Sequence, residues 1–432
     1  MKKIFYCLVA AFLLAACVKE DVSITKIEEV KNPYAVTPDE AVQLLKTVIG
    51  GESTRSISVG EIKTLRKSDF VPTTRGAEDG DVIYIVDLEN GGSAVMGADK
   101  RMEPIYAILD ETKVSPEKLT LTTTRSEDGA QDIEEYVMGM MNAKIQSDAI
   151  TYGHGPIIID TTAMPIIPIP QFWTETVVIA RQTPLLRTKW GQEAPFNNNF
   201  PMKASGLFRC PAGCTTIATA QIMYHNRRPN AINGMYIDWN LISQYEFDYE
   251  NPSNSATIEL ANFIHQVAVG VDSEYNLGND NLGTGSNIDL AKSLLSASGY
   301  LNVTKSNYSL SSIITMVSTH LLPVYISGTS TNSNEGHAWV IDGCNIYKIE
   351  HWERNFQTEF IYTDSIESVD EYNLVHCNYG YNANCDGYYT SRIFDTRVMR
   401  EYYLFEPDYG DAQDIGTNNF SSDLEILTYS LN

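Results

Sequence analysis

Hydrophobic and polar positions change period several times along the chain, and each change predicts an element. In "NPYAVTPDEAVQLLKTVIG", Val42, Leu45 and Ile49 recur at helical spacing. Thr37 can cap this helix, Pro38 falls at its first position, Glu40 completes a Thr-x-x-Glu box, and Gly50-Gly51 ends it. Residues 52–80 show little periodicity and read as a loop. The stretch "DVIYIVDLENGGSAVMGADKRMEPIYAILDE" alternates apolar and polar positions around "ENGG", which predicts a hairpin. A second helix is expected over residues 132–146, with Ile133, Val137, Met140, Met141 and Ile145 on one side.

Residues 153–184 break the pattern. They are Pro-rich and poor in helix signals, and read as a linker open to cleavage. Beyond them, helices are expected from Cys214 to just before Pro229, in "ATIELANFIHQVAVGVD" and in "NIDLAKSLLSASG". Strand-like runs follow: "LLPVYISG", "HAWVIDGCN", "EYNLVHCNYG", "DGYYTSRIF", "EYYLFEP" and "EILTYSL". Helices first and strands later is an α+β pattern.

Composition narrows the class. The chain has 432 residues, is 43% hydrophobic and 20% charged, and carries a formal net charge of -24. It can bury a core, and it lacks the basic stripe that a nucleic-acid surface needs. The N-terminus "MKKIFYCLVAAFLLAACVKED" has a basic start, an apolar run too short for a comfortable membrane span, and then Cys17. "LAAC" resembles a bacterial lipobox, so residues 1–16 read as a lipoprotein signal and Cys17 as the lipidated first residue of the mature chain. The acidic "KED" nearby resembles a surface-export signal of some Gram-negative lipoproteins. The expected location is therefore extracytoplasmic, anchored to the outer membrane or cell surface.

Removing Cys7 and Cys17 leaves Cys210, Cys214, Cys344, Cys377 and Cys385. An odd count in an oxidising compartment implies a free thiol. Cys214 opens a helix, where unpaired N–H groups and the positive dipole end favour a thiolate; Cys210 lacks that placement. A nucleophilic thiol needs a base. His225 lies eleven residues on, about 16 Å along the helix axis, and cannot reach. His337 in "NEGHAWVIDG" follows a glycine at the start of an alternating strand and is the favoured base, with His376 as rival.

Together, "KWGQEAPFNNNFP", "AGCTTIATAQIMYHNRRP", "GHAWVIDG" and "VHCNYGYNANCDGYY" resemble, in order and spacing, the streptopain family of papain-fold cysteine peptidases. The earlier hairpin resembles that family's inhibitory pro-domain. The resemblance implies an α+β chain with a papain-like two-lobed catalytic domain, helical lobe plus antiparallel β lobe, behind a small α+β pro-domain. Its boundaries are 1–16 signal, 17–165 pro-domain, 166–184 linker and processing region, and 185–432 peptidase.

It implies Cys214 as nucleophile and His337 as general base, working as a thiolate–imidazolium pair through a thioester acyl-enzyme, with Gln192 as an oxyanion-hole donor and Asn378 as the residue orienting the imidazole. Gly336 matches a position lining the cleft, and Thr284, Gly285 and Ser286 fall where a substrate-binding loop is expected. Tyr379 and Tyr381 stand where the family has tryptophans and are expected with Gly336 and the loop on the substrate-binding side, and Cys377 and Cys385, which flank that segment, could pair locally. The implied partners are protein or peptide substrates, the chain's own pro-domain as intramolecular inhibitor, and a membrane through Cys17, with no cofactor and no nucleic acid. Arg181 and Lys189 are candidate processing positions. Two other readings remain open. One is a zinc protein using Cys210, Cys214, His376 and Cys385. The other is a surface lipoprotein that keeps the fold for binding.

Overall fold

The computed structural model describes residues 34–50, 58–71, 79–89, 91–120, 133–152, 171–247, 253–278, 283–329, 336–358, 361–394 and 422–431. The signal, Cys17 and the run "EYYLFEP" lie outside the described residues. Among the described residues no helix is long and apolar enough to cross a membrane.

The N-terminal part is built as its pattern predicts. Helix α1 (Pro38–Ile49) starts on the expected reciprocal box: Thr37 accepts from the Glu40 N–H, and the Glu40 carboxylate accepts from the Thr37 N–H. Its buried stripe is Ala41, Leu45 and Val48. The region 52–80 is not all loop, because it contains strand β1 (Val59–Arg66) and a one-turn helix, Lys67–Phe70. The expected hairpin region forms β2 (Asp81–Leu88), β3 (Ser93–Gly97) and β4 (Ile105–Leu109). Helix α2 (Ile133–Tyr152) runs a turn and a half past its expected end. Strand β2 is buried on both faces: Tyr84 and Val86 pack with the α1 stripe, while Ile83 and Ile85 share a core with Val137, Met141 and Ile145 of α2.

The reading of 166–184 as a linker is corrected. Residues 171–182 form strand β5 (Gln171–Gln182). It is followed by α3 (Cys214–Asn226), α4 (Trp239–Phe247), α5 (Asn254–Gly270) and α6 (Ile288–Ala297). The strands after them are β6 (Leu301–Asn307), β7 (Val324–Thr329), β8 (Gly336–Thr358), β9 (Ile361–Asn378), β10 (Gly387–Thr390) and β11 (Ser422–Ser430). One sheet runs β1-β2-β3-β4-β10-β9-β8-β7-β11-β6, with β5 added along β8. Its strand pairs are antiparallel. The chain is thus α+β, with helices α3 to α6 gathered beside one end of a large antiparallel sheet.

Two features of this sheet matter for the site. β8 and β9 are far longer than their apolar cores suggest, and their outer half, joined by β5 from Gln182 opposite Cys344 to Gln171 opposite Arg354, makes a three-stranded arm. The N-terminal lobe also continues the same sheet, because β4 pairs with β10 through Leu109 opposite Gly387.

Candidate active site

Gly213 sets the nucleophile's backbone. Its φ of +88° is one that side-chain-bearing residues rarely adopt, and a Cβ there would press on Thr284 at 3.2–3.3 Å. Helix α3 begins at the next residue, Cys214, with no side-chain cap on its first N–H groups. Cys214 is part-buried and packs against the core. Burial pushes its thiol up; the Ala338 and Thr215 backbones, its own N–H and the Thr215 hydroxyl pull it back without prevailing. Burial thus works against the lowering that a helix start favours.

Ala338 immediately follows His337, so the thiol abuts the strand segment that carries the imidazole. His337 is buried near the start of β8, among Trp339 (ring centroids 5.9 Å apart), Tyr379 (6.2 Å) and Tyr381 (5.4 Å). Burial lowers its pKa to about 4, with one counteracting hydrogen bond to the Tyr379 backbone. His337 is thus a neutral imidazole at neutral pH.

The Asn378 side chain is tied to three other groups. Its Oδ1 accepts from Gln221 Nε2 (2.9 Å) and the Gly380 N–H (3.1 Å), and its Nδ2 donates to the Thr188 carbonyl (2.9 Å). These bonds leave the side-chain amide engaged elsewhere, and the ring's partner is the neighbouring Tyr379 backbone. Asn378 instead braces the turn that presents this group. The sequence pattern assigns no role to Gln221, Thr188 or Asp386. The readable signal for Gln221 is a long amide side chain in a buried helix whose neighbouring positions are small or apolar.

Gln192 is fixed beside the start of the nucleophile's helix. Its Oε1 accepts from the Gly213 N–H (3.1 Å), which fixes the amide one residue from Cys214, and its Nε2 is buried with no hydrogen-bond partner among the described residues. A buried amide donor left open costs free energy unless something fills it. The Thr284–Gly285 strand pairs with Glu274–Tyr275, and the Thr284 hydroxyl donates to the Pro211 carbonyl (2.6 Å), which seats this loop beside Gly213. Ser286 turns its hydroxyl to the Val271 carbonyl (2.6 Å). Gly336 opens β8, exposed, opposite Thr329.

The two tyrosines are accommodated. Tyr379 is buried, and burial, which prevails, pushes the Cys377 thiol up against the downward pull of the Trp339 indole and the Tyr379 hydroxyl. Tyr381 is half-buried over the imidazole. Cys377 and Cys385 are not paired: Cys210, Cys214, Cys344, Cys377 and Cys385 are all free thiols. The rival base is committed elsewhere, since His376 Nδ1 lies 2.6 Å from Asp342 and its Nε2 3.1 Å from Asp110. Both ring nitrogens are therefore occupied by carboxylates, which also removes His376 from any zinc site with Cys210, Cys214 and Cys385.

Residues 190–389 match the model of the peptidase C10 family. Among solved structures, the chain is similar to a fragment of Prevotella intermedia prointerpain A carrying a cysteine-to-alanine substitution. The identity is 15% and the TM-score 0.47, over 86% of this chain and 99% of that one. It is also similar to active wild-type Prevotella intermedia interpain A cysteine protease, with 20% identity and a TM-score of 0.40, over 59% of this chain and 97% of that one. No curated protein matches the sequence. Gln192, Cys214, His337 and Asn378 all fall inside the matched segment: residues 190–389 are a domain of the peptidase C10 family, the streptopain family, and the chain is a cysteine-type peptidase.

Proposed function

We propose that the chain is an endopeptidase made as a zymogen, secreted and lipid-anchored through Cys17, in which Cys214 attacks the scissile carbonyl and His337 takes its proton. The observation that carries this reading is the open, buried Nε2 of Gln192 fixed beside the residue that precedes Cys214. With the thiol held up and the imidazole held near 4, the resting pair is thiol and neutral imidazole. The proton therefore moves from Sγ to the ring as the C–S bond forms, and no preformed ion pair is needed in this form of the chain. Gln192 Nε2 and the Cys214 N–H stabilise the oxyanion. The imidazolium then protonates the leaving amine, which departs and leaves a thioester. Water, deprotonated by the neutral ring, cleaves the thioester and restores the thiol.

In this reading residues 17–165 are the inhibitory pro-domain and proteins or peptides are the substrates. The described part of that lobe is tied to the catalytic part by β4–β10 pairing, by Lys189–Glu111, and by Glu103 with Thr390 and Arg392. Cys214→Ala should abolish casein hydrolysis and self-processing while the protein still folds. Retained hydrolysis in this variant would sink the assignment.

A further inference from the structure

The helix that presents Cys214 carries a buried polar side chain that this mechanism leaves unused. Gln221 lies seven residues past Cys214, two turns on and on the same helix face. The rise places it about 10 Å along the axis from the nucleophile, out of contact with the thiol and any scissile bond. It is fully buried, and its helix neighbours Ile217, Ala218, Ala220 and Ile222 are apolar. A glutamine in such a setting costs free energy unless its amide is used.

Its Nε2 donates to Asn378 Oδ1 at 2.9 Å. That oxygen already accepts from the Gly380 N–H, and the Asn378 Nδ2 donates to the Thr188 carbonyl. The orientation of Asn378 is thereby fixed, so Gln221 must present a donor to it. Gly380, with a φ of +70°, lies so close to α3 that a Cβ would stand 2.7 Å from Ile217 Cγ2. Between Asn378 and Gly380 sits Tyr379, whose N–H donates to Asp386 Oδ1 (2.8 Å) and whose backbone also bonds the His337 ring. Among the described residues the buried Gln221 Oε1 has no partner, so the donated bond is the hydrogen bond that holds this side chain.

We propose that Gln221 is a positioning residue for the general base. It ties the nucleophile's helix to the Asn378–Gly380 turn and, through the Tyr379 backbone, sets the tautomer and angle of the His337 ring relative to Cys214. The inference rests on Cys214 and His337 being the reacting pair.

The test uses the full-length chain, allowed to self-process, as wild type, Gln221→Met, Gln221→Glu and Cys214→Ala. Hydrolysis of a fluorescent casein, alkylation of Cys214 by iodoacetamide and thermal unfolding are each followed against pH. Gln221→Met keeps the length and loses the donor, and it should lower kcat about 10²-fold with little change in KM. Gln221→Glu offers an O–H donor only while protonated, so its kcat and alkylation rate, as ratios to wild type, should fall as pH rises through the carboxyl's titration. A lower unfolding temperature with unchanged kcat in Gln221→Met, or a Gln221→Glu ratio constant with pH, overturns the proposal. If Gln221→Met does not fold, the Gln221→Glu ratio alone decides. Wild type that neither hydrolyses casein nor is alkylated in a Cys214-dependent way defeats the reading of the reacting pair, and this inference with it.

Discussion

His337 and His376 stand on adjacent strands of one sheet, both buried, and they are driven in opposite directions. His337 is surrounded by Trp339, Tyr379 and Tyr381, and burial takes it down to about 4. His376 is equally buried, but the Asp342 charge, hydrogen bonds to Asp110 and Asp342 and the Asp110 charge together outweigh burial and lift it to about 10. Burial therefore does not assign a role to a histidine, whereas its partners do. A general base needs a lone pair that nothing has claimed, and a ring clamped between two carboxylates has none to give.

The largest effect expected from breaking this contrast is at the base. His337→Ala should reduce kcat by about 10³-fold or more, with the unfolding midpoint little changed, because the variant loses the only proton acceptor assigned to the attack. Steady-state kinetics beside urea unfolding would show it. A loss of stability with intact turnover would reverse the roles given to the two rings.

His376→Gln should act on the other axis. It leaves the fully buried Asp342 carboxylate with the Leu186 N–H as its remaining side-chain partner, and should cost about 3–5 kcal/mol of stability, read by urea unfolding in the Cys214→Ala background. Asp110 is half-exposed, so its share is small. The pH dependence gives a sharper signature. His376 is raised from 6.5 to about 10, so its contribution is fully present below 6.5 and is lost as pH rises through about 10. His337 is lowered from 6.5 to about 4, so stability falls as pH drops from 6.5 toward 4. His376→Gln should flatten the alkaline limb of a stability–pH curve and leave the acid limb in place.

The smallest effect concerns the aromatic wall. Tyr379→Phe keeps the ring against His337 and removes the hydroxyl that opposes burial at the Cys377 thiol. A loss of about 1 kcal/mol of stability is expected, with kcat within about threefold of wild type. A fall as large as that of His337→Ala would mean that the hydroxyl, and not the ring's shielding, serves the base.

Much of this was legible where one face of an element is buried. The Thr37–Glu40 box, the apolar stripe of α2 and the start of α3 at Cys214 are local signals, and each appears where expected. The misses share a cause. β1 is an edge strand with one buried position, and the outer half of β8, "KIEHWERN", is mostly polar and half-buried, so neither shows a period of two. β5 is masked by the prolines before it, and its strand identity comes from β8, more than 160 residues away in sequence. At the site, the residue types of the reacting pair and the oxyanion donor could be read, but the ring's orienting group could not. A backbone hydrogen bond from Tyr379 leaves no mark on the sequence, and Asn378 occupied the position where a side-chain partner was expected.

The pairing of β4 with β10 has a consequence for timing. Because the N-terminal lobe is hydrogen-bonded into the catalytic sheet, and Arg181 of β5 also donates to the Val48 carbonyl at the end of α1, cutting the connecting chain leaves two fragments in one particle. Exposure of the cleft would then follow the half-life of that noncovalent pair. Dilution would leave that half-life unchanged but prevent the two fragments from rejoining, so the fraction set free would rise as the volume grows.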